Sequence, residues 1–197
     1  MKRLHRPDLF AWSVFDEARN IDFNSFAWIR SQGNVLIDPL PLTTHDAEHL
    51  RTLGGAAWIV ITNSDHLRAA KEIAKKLGAK IAAPAAEKAV IPFACDRWLE
   101  DGDELVPGLL TFVLEGSKTP GELALLLEGT TLITGDLVRA HVGGSLMLLP
   151  ADKLKDAKLA RASIARIVKR GGIEAVLVGD GWNVFRDGQK LLEELVG

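Results

Sequence analysis

Four runs in this chain are apolar at nearly every position and only strand-length: Ala56-Ala57-Trp58-Ile59-Val60-Ile61, Leu109-Leu110-Thr111-Phe112-Val113-Leu114, Leu123-Ala124-Leu125-Leu126-Leu127 and Ala175-Val176-Leu177-Val178. A strand with one wet face alternates apolar and polar residues, so an uninterrupted short run predicts a strand covered on both faces. The segments between them carry another period. Leu67, Ala70, Ile73, Ala74 and Leu77 recur at helical spacing, with Ser64 or Asp65 as cap and Gly78 as stop. Leu154, Ala157, Ile164, Ile167 and Val168 define a second helix ended by Gly171-Gly172, and Leu191, Leu192, Leu195 and Val196 a short terminal one. Phe26 and Trp28 lead through Ser31-Gln32-Gly33-Asn34 into Val35-Leu36-Ile37, a hairpin closed by Asp38-Pro39. Glu128-Gly129-Thr130 turns Leu123-Leu127 back into Thr131-Leu132-Ile133-Thr134. Buried strands alternating with amphipathic helices require sheets covered by helices, an α/β architecture; the pattern fits two face-packed sheets and one doubly wound sheet equally.

With 197 residues, 47% of them hydrophobic, the chain can bury a substantial core, and without a linker, repeat or composition shift it is expected to form one domain over residues 1–197. The net charge of -2, with acids and bases interspersed, argues against nucleic acid or an anionic membrane as partner and leaves a small-molecule ligand open. No apolar run approaches the roughly 20 residues needed to cross a bilayer. Cys95 is the only cysteine and cannot form an internal disulfide, and no apolar signal segment follows Met1-Lys2-Arg3-Leu4-His5-Arg6-Pro7, so a cytoplasmic protein is expected. Oligomeric state is not specified, although Phe10-Ala11-Trp12 with Phe15 could cover either a core edge or a partner.

Residues able to bind a ligand collect where these strands end, as they do in site-bearing α/β folds. Ile61-Thr62-Asn63-Ser64-Asp65-His66 closes the first run, Ser117-Lys118-Thr119-Pro120-Gly121 precedes the third, Thr134-Gly135-Asp136 follows the hairpin, and Gly179-Asp180-Gly181 follows the last.

In this order the segments resemble the metal-binding motifs of the metallo-β-lactamase superfamily, from about Val35 to Gly181. Family members carry His-x-His-x-Asp-His, then His-Thr-Pro-Gly, then Thr-Gly-Asp, then a late His near a glycine. The resemblance implies the family's αββα sandwich: two mixed sheets packed face to face with helices on the outer faces. Asp65, His66 and Asp136 match outright. Ile61 and Asn63 stand where the first two histidines belong, Lys118 at the histidine of the second segment and Asp180 at the late histidine.

On that alignment the first of the family's two metals loses its holders, because an aliphatic side chain cannot ligate and a protonated amine repels a cation. A dinuclear zinc site is not expected. The second position would keep Asp65, His66, Asp136 and Asp180, an oxygen-rich set suited to manganese, iron or magnesium as well as zinc. Two functions then stand open. One is a single-metal hydrolase in which those four hold one divalent metal, with Asp65 and Lys118 catalytic and Lys118 supplying a fixed positive charge. The other is a metal-free, non-catalytic binding protein in which Lys118 pairs with Asp136 and Asp65, while Lys118, Arg68 and Trp182 hold an anionic ligand or partner. Both require the four side chains to converge.

Other candidates each have two readings. Asp38 could orient His66 or cap its turn. Arg68 could face an anionic substrate or pair with a local carboxylate. His141 could enter the site or sit at the surface, and Trp182 could wall a pocket. His45 and His49, four apart, have metal-capable spacing but lack a carboxylate or cysteine partner and read as surface residues. Cys95 reads as a buried thiol.

Overall fold

The alternation inside the apolar runs decides the architecture. Leu123, Leu125 and Leu127 point one way and Ala124 and Leu126 the other, and every one of these side chains is buried. A strand apolar on both sides has to be sandwiched. The computed structural model describes residues 1–197. In chain order the elements are β1 (Lys2–Arg3), β2 (Leu9–Asp16), β3 (Ile21–Trp28), β4 (Val35–Ile37), α1 (Thr44–Thr52), β5 (Trp58–Val60), α2 (Ala70–Leu77), β6 (Lys80–Pro84), β7 (Arg97–Leu99), β8 (Leu109–Leu114), β9 (Glu122–Leu127), β10 (Thr131–Thr134), β11 (Val138–Arg139), β12 (Met147–Leu148), α3 (Ala157–Arg170), β13 (Ala175–Val178) and α4 (Gly188–Val196).

Strands β1 to β7 form one sheet in sequence order, antiparallel through β4 and parallel from β4 to β7. The second sheet runs β13-β10-β9-β8, with β10 and β13 parallel and the other pairs antiparallel. Both are mixed, and a two-stranded ribbon, β11 with β12, stands apart. Between the sheets, Phe26, Val35, Ile37 and Val60 of the first meet Leu109, Leu123, Leu125 and Leu177 of the second. The outer face of the first sheet packs Leu36, Ile59 and Ile81 against Leu50 of α1 and Ile73 of α2. On the other side, Ala124, Leu126 and Val176 pack against Ile164 and Ile167 of α3 and Leu192 of α4. This is the αββα sandwich, with three apolar layers between four structural ones.

The strand ends bring the motif loops to one rim. Because β4 and β5 are parallel, Asp38 and the loop beginning at Thr62 emerge side by side. The antiparallel register Thr134↔Ala124 puts the start of β9 beside the end of β10, and the parallel register Thr134↔Val178 adds the end of β13. Backbone hydrogen bonds stitch the sheets together there: Leu123 N–H to the Thr62 carbonyl at 2.8 Å and Asn24 N–H to the Gly179 carbonyl at 2.8 Å.

Two local expectations need correction. The segment after β5 is not one helix capped by Ser64 or Asp65. It forms a single 3-10 turn, Ser64–His66, in which the Asn63 side chain accepts from the Asp65 N–H at 2.9 Å, and α2 begins only at Ala70. Arg68 causes the break, since its φ of +40° is left-handed and cannot continue a right-handed helix. Leu154 lies outside α3, which starts where the Asp156 carboxylate accepts from the N–H groups of Lys158 and Leu159. Gly78 ends α2 in the left-handed conformation, as expected.

The central layer gives a test of the sandwich. Leu125→Ala empties a fully buried position between the sheets and should cost about 2–5 kcal/mol, whereas the same change at half-exposed Leu159 should cost well under 1 kcal/mol. Urea unfolding of the two variants measures the difference.

Candidate functional site

The base of the site is Asp38, whose left-handed backbone, φ +46°, turns its carboxylate back under the β5 loop. The carboxylate accepts from the Thr62 N–H at 2.7 Å, the Thr62 hydroxyl at 2.5 Å and His66 Nδ1 at 2.8 Å. Of the two readings for Asp38, the structure shows the one that orients His66. That imidazole is 4% exposed, and its Nε2 lies 3.5 Å from Asp136 Oδ2. Burial would lower the His66 pKa, but the Asp38 and Asp136 carboxylates outweigh it and raise the pKa to about 9. His66 is therefore an imidazolium clamped between two carboxylates at neutral pH.

Above it Asp136 collects positive charge. Lys118 Nζ stands 3.0 Å from Asp136 Oδ2 and 2.8 Å from Asp65 Oδ2. Asn63 Nδ2 donates to Asp136 Oδ2 at 3.1 Å. Arg139, on β11, places Nη2 3.3 Å from Asp136 Oδ1 and 3.2 Å from Asp180 Oδ2, and His141 Nε2 lies 3.2 Å from the same Asp180 oxygen. The rim is thus a row of alternating charge, Asp65, Lys118, Asp136, Arg139 and Asp180, with the His141 ring at its end. Burial opposes ionisation of Asp136, but His66 and Lys118 hold its carboxyl well below the usual range. Lys118 is raised, its pairing with Asp65 and Asp136 outweighing burial.

Behind the row lies Glu122, fully buried, accepting from the Ser117 hydroxyl at 2.7 Å and the Leu137 N–H at 2.9 Å. Burial and the nearby Asp136 charge push its pKa up to about 7. The glycine of Thr134-Gly135-Asp136 is required by close approach: a Cβ at Gly135 would stand 2.7 Å from Thr62 Oγ1 and 2.8 Å from Asn63 Nδ2. A Cβ at Gly179 would stand 2.8 Å from His66 Cε1.

These groups line an open cavity of about 800 Å³ whose wall holds five basic side chains, Arg19, Arg68, Lys118, Arg139 and Lys153, against three carboxylates, Asp65, Asp136 and Asp180. The expected convergence of Asp65, His66, Asp136 and Asp180 around this cavity is observed, but Asp65 faces Lys118 instead of joining His66. Arg68 lines the cavity but pairs with no carboxylate: its guanidinium donates to the carbonyls of Asn24, Asp38 and Gly179. Trp182 does not wall the cavity. It is 65% exposed and does not belong to the lining. His45 and His49 sit on α1 with rings 6.4 Å apart, and Cys95 is a half-buried thiol pushed up to about 11 by burial and Asp96.

Sequence reading missed Arg139, although a lone cation inside the buried run Leu137-Val138-Arg139-Ala140 was a usable signal. It also missed Glu122 and Glu87. Glu87 is fully buried and ties two motif loops together by accepting from the N–H groups of Ser64 and Gly121.

The metals that the motifs imply do not fit these side chains. Ile61 and Asn63 replace two imidazoles, and the two spaces beside Asp136 are filled by the Lys118 ammonium and the Arg139 guanidinium, neither of which has a lone pair. Nowhere in the chain do three or more His, Cys, Asp or Glu side chains stand in a grouping ready to hold a metal ion.

The buried acids and base give a pH prediction. His66 is raised from 6.5 to about 9, so its stabilisation is complete below about pH 6.5 and is lost as pH rises through 9. Glu122 is raised from 4.5 to about 7, so the protein also loses stability as pH rises from 4.5 to 7. Asp136 acts in the opposite sense only on acidification below its ordinary 3.8. The melting temperature should peak near pH 5 and fall toward pH 9, at about 2–4 °C per kcal/mol, and Glu122→Gln should flatten the slope between pH 5 and 7. Thermal melts across that range decide it. In addition, Gly179→Ala should cost about 1–3 kcal/mol by displacing His66.

Comparison with known proteins agrees with the architecture. The family model described as the metallo-beta-lactamase superfamily matches residues 1–197. No curated protein sequence matches the chain. Among solved structures, the DIM-1 metallo-beta-lactamase superposes with a TM-score of 0.76 at 15% identity, covering 99% of this chain and 94% of that one. FIM-1 from Pseudomonas aeruginosa, in a mono-zinc form, gives 0.70 at 16% identity over 95% and 89%. TTHA1623 in a di-iron-bound form gives 0.68 at 20% identity over 88% and 94%. At such identities the likeness establishes the fold alone, and the whole-chain family match establishes membership: this chain belongs to the metallo-β-lactamase superfamily.

Proposed function

We propose that this protein, folded as one domain over residues 1–197, is a metal-free member of its superfamily that binds a small anionic molecule in the rim cavity and lacks metal-dependent hydrolase activity. The observation that carries this reading is the pair of fixed cations. Lys118 bridges Asp65 and Asp136, and Arg139 bridges Asp136 and Asp180, so that carboxylates of the loops which the motif resemblance makes metal-binding are already paired with fixed cations. A bound metal lowers the pKa of its water to about 7 and so makes a nucleophile at neutral pH. An ammonium or guanidinium hydrogen-bonded to carboxylates does neither.

The same cations support a ligand of negative charge. Arg68 is used by backbone carbonyls and Arg139 by carboxylates, but Lys153 and Arg19 also line the cavity, Arg19 pairing only with Asp16 at 3.1 Å, and Lys118 keeps 29% of its side chain exposed. A carboxylate or phosphate in the cavity would meet them at close range, with fewer waters to screen the attraction than on an open surface. Ligand binding is thereby assigned to Lys118, Lys153 and Arg19, in place of Arg68 and Trp182. The single-metal hydrolase remains the competing function. It would need one divalent ion, zinc, manganese or iron, at Asp65, His66, Asp136 and Asp180, and so would have to displace two cations first. The like-charge cost of that displacement disfavours it.

Metal counting after passage through chelator, together with a panel of lactam, thioester, lactone and phosphodiester substrates in excess zinc, separates the two. The expected result is almost no metal and no turnover; one or more divalent ions per chain with turnover would overturn the proposal. In thermal shift assays, small di- and tricarboxylates and phosphate esters should raise the melting temperature, by about 2.7 kcal/mol of stabilisation at a hundredfold excess over Kd. Lys118→Met should abolish that shift. It should also destabilise the unliganded protein by about 1–3 kcal/mol, below the 3–5 kcal/mol of a fully buried pair because the lysine is partly solvated.

A further inference from the structure

The cavity is not lined by charge alone: Ile21, Phe23, Leu40 and Pro150 belong to the same wall. Ile21 and Phe23 lie two apart on β3 and so share a face of the strand. Val14, directly opposite Phe23 on β2, extends that face and is 45% exposed. This apolar shelf is firmly backed. The Leu40 N–H donates to Ser25 Oγ at 2.8 Å, the Trp12 indole donates to the Leu40 carbonyl at 3.2 Å, and Phe23 packs against the apolar layer beneath α1 and α2. Charge adjoins the shelf directly. The Arg19 guanidinium lies 5.5 Å from the centroid of the Phe23 ring, and a backbone bridge sets Phe23 beside Asp180 of the charged row. Arg19 pairs only with Asp16 and keeps 66% of its side chain exposed, and so has N–H donors to spare.

We propose that the ligand of the rim cavity is an amphipathic anion, a carboxylate or phosphate head carrying an apolar body, and that Val14, Ile21, Phe23 and Leu40 select it by that body. The proposal rests on the anion-binding reading above and adds to it the uncharged part of the ligand. A head held by Arg19 has its attached group within reach of the shelf, since the guanidinium itself lies against the Phe23 ring. Positive charge attracts every small anion and discriminates weakly among those of equal charge. Apolar area removed from water does discriminate, in proportion to the area covered. A polyol in the same place would lose hydration against Ile21, Phe23 and Leu40 without finding hydrogen-bond partners there. An apolar body also displaces water from around Arg19 and Lys153, which strengthens their attraction for the head.

The test is calorimetric titration of wild-type protein with two pairs of probes, each pair sharing a head: phenyl phosphate against glycerol phosphate, and phenylacetate against glycolate. Benzyl alcohol supplies the apolar body without charge. In at least one pair the aryl anion should bind about 10-fold or more tightly than its polar partner, and that pair identifies the head. Benzyl alcohol should not bind. Phe23→Ser and Ile21→Ser, with folding checked by circular dichroism, should bring the aryl anion down to the affinity of its polar partner and leave the polar partner unchanged. Ile21→Ser carries the comparison alone if Phe23→Ser does not fold. Lys153→Ala should instead weaken both members of the pair by a similar factor. Equal affinity within both pairs would overturn the proposal while leaving the anion-binding reading in place. Aryl preference that survives in folded Ile21→Ser and Phe23→Ser would overturn it too, as would benzyl alcohol binding as tightly as the aryl anions. Binding by none of the four anions is a different result, which would overturn the anion-binding reading and this proposal with it.

Discussion

Asp136 is the group on which the site depends. A carboxylate 5% exposed is costly unless every lone pair is used, and this one draws four donors from three stretches of chain: Asn63 and His66 after β5, Lys118 before β9 and Arg139 on β11. Its partners come from both sheets, so its charge is neutralised only when the sheets are correctly seated against each other. The interaction is at once electrostatic and architectural. Glu122 shows the same constraint from behind. It cannot share those cations, and burial beside the Asp136 charge pushes it toward the protonated form.

The fold was legible wherever burial leaves a pattern along the chain. Continuous apolar runs such as Leu123–Leu127 mark strands covered on both faces, and the helical spacing through Ile73 and Ile164 marks the outer layers. Choosing two sheets over one needed the motif resemblance, since which strands pair is a matter of long-range register. The helix start after β5 was misplaced because the positive φ at Arg68 is imposed by its guanidinium reaching three carbonyls far away in sequence. Similarly, Asp65, His66, Asp136 and Asp180 could be named from motif order, while Arg139 belongs to no motif. Its position between two carboxylates follows from the β11 ribbon and the parallel pairing of β10 with β13, neither of which is visible locally.

Trp182 illustrates the opposite failure. Proximity in sequence to Asp180 suggested a wall of the cavity, but Gly181, with φ +98°, reverses the chain so that the Trp182 N–H meets the Ala140 carbonyl at 2.7 Å and the ring turns outward. His141, which the sequence left open to either a site or a surface position, stands at the cavity because the bridge between Ala140 and Gly181 draws its loop against Asp180. In both cases one backbone contact between distant loops decides which side chain faces the site.

That a site of this kind can exchange metals for side chains follows from where the stability of the fold resides. In small metal-dependent domains the ion supplies folding free energy that the core cannot. Here three apolar layers are complete without the rim: one between the sheets and one under each pair of helices. What the rim demands is only that its carboxylates be neutralised, and an ammonium or guanidinium answers that demand as well as a dication does. Under the proposed reading the two solutions diverge in chemistry while converging in electrostatics. A metal ion has open positions that take up water and polarise it, whereas Lys118 and Arg139 direct their N–H groups at carboxylates and leave water ordinary. On that reading, Ile61, Asn63 and Lys118 at the histidine positions of the motifs leave no holder for a metal-bound nucleophile, and the cations that balance the carboxylates give the cavity a positive lining suited to an anion.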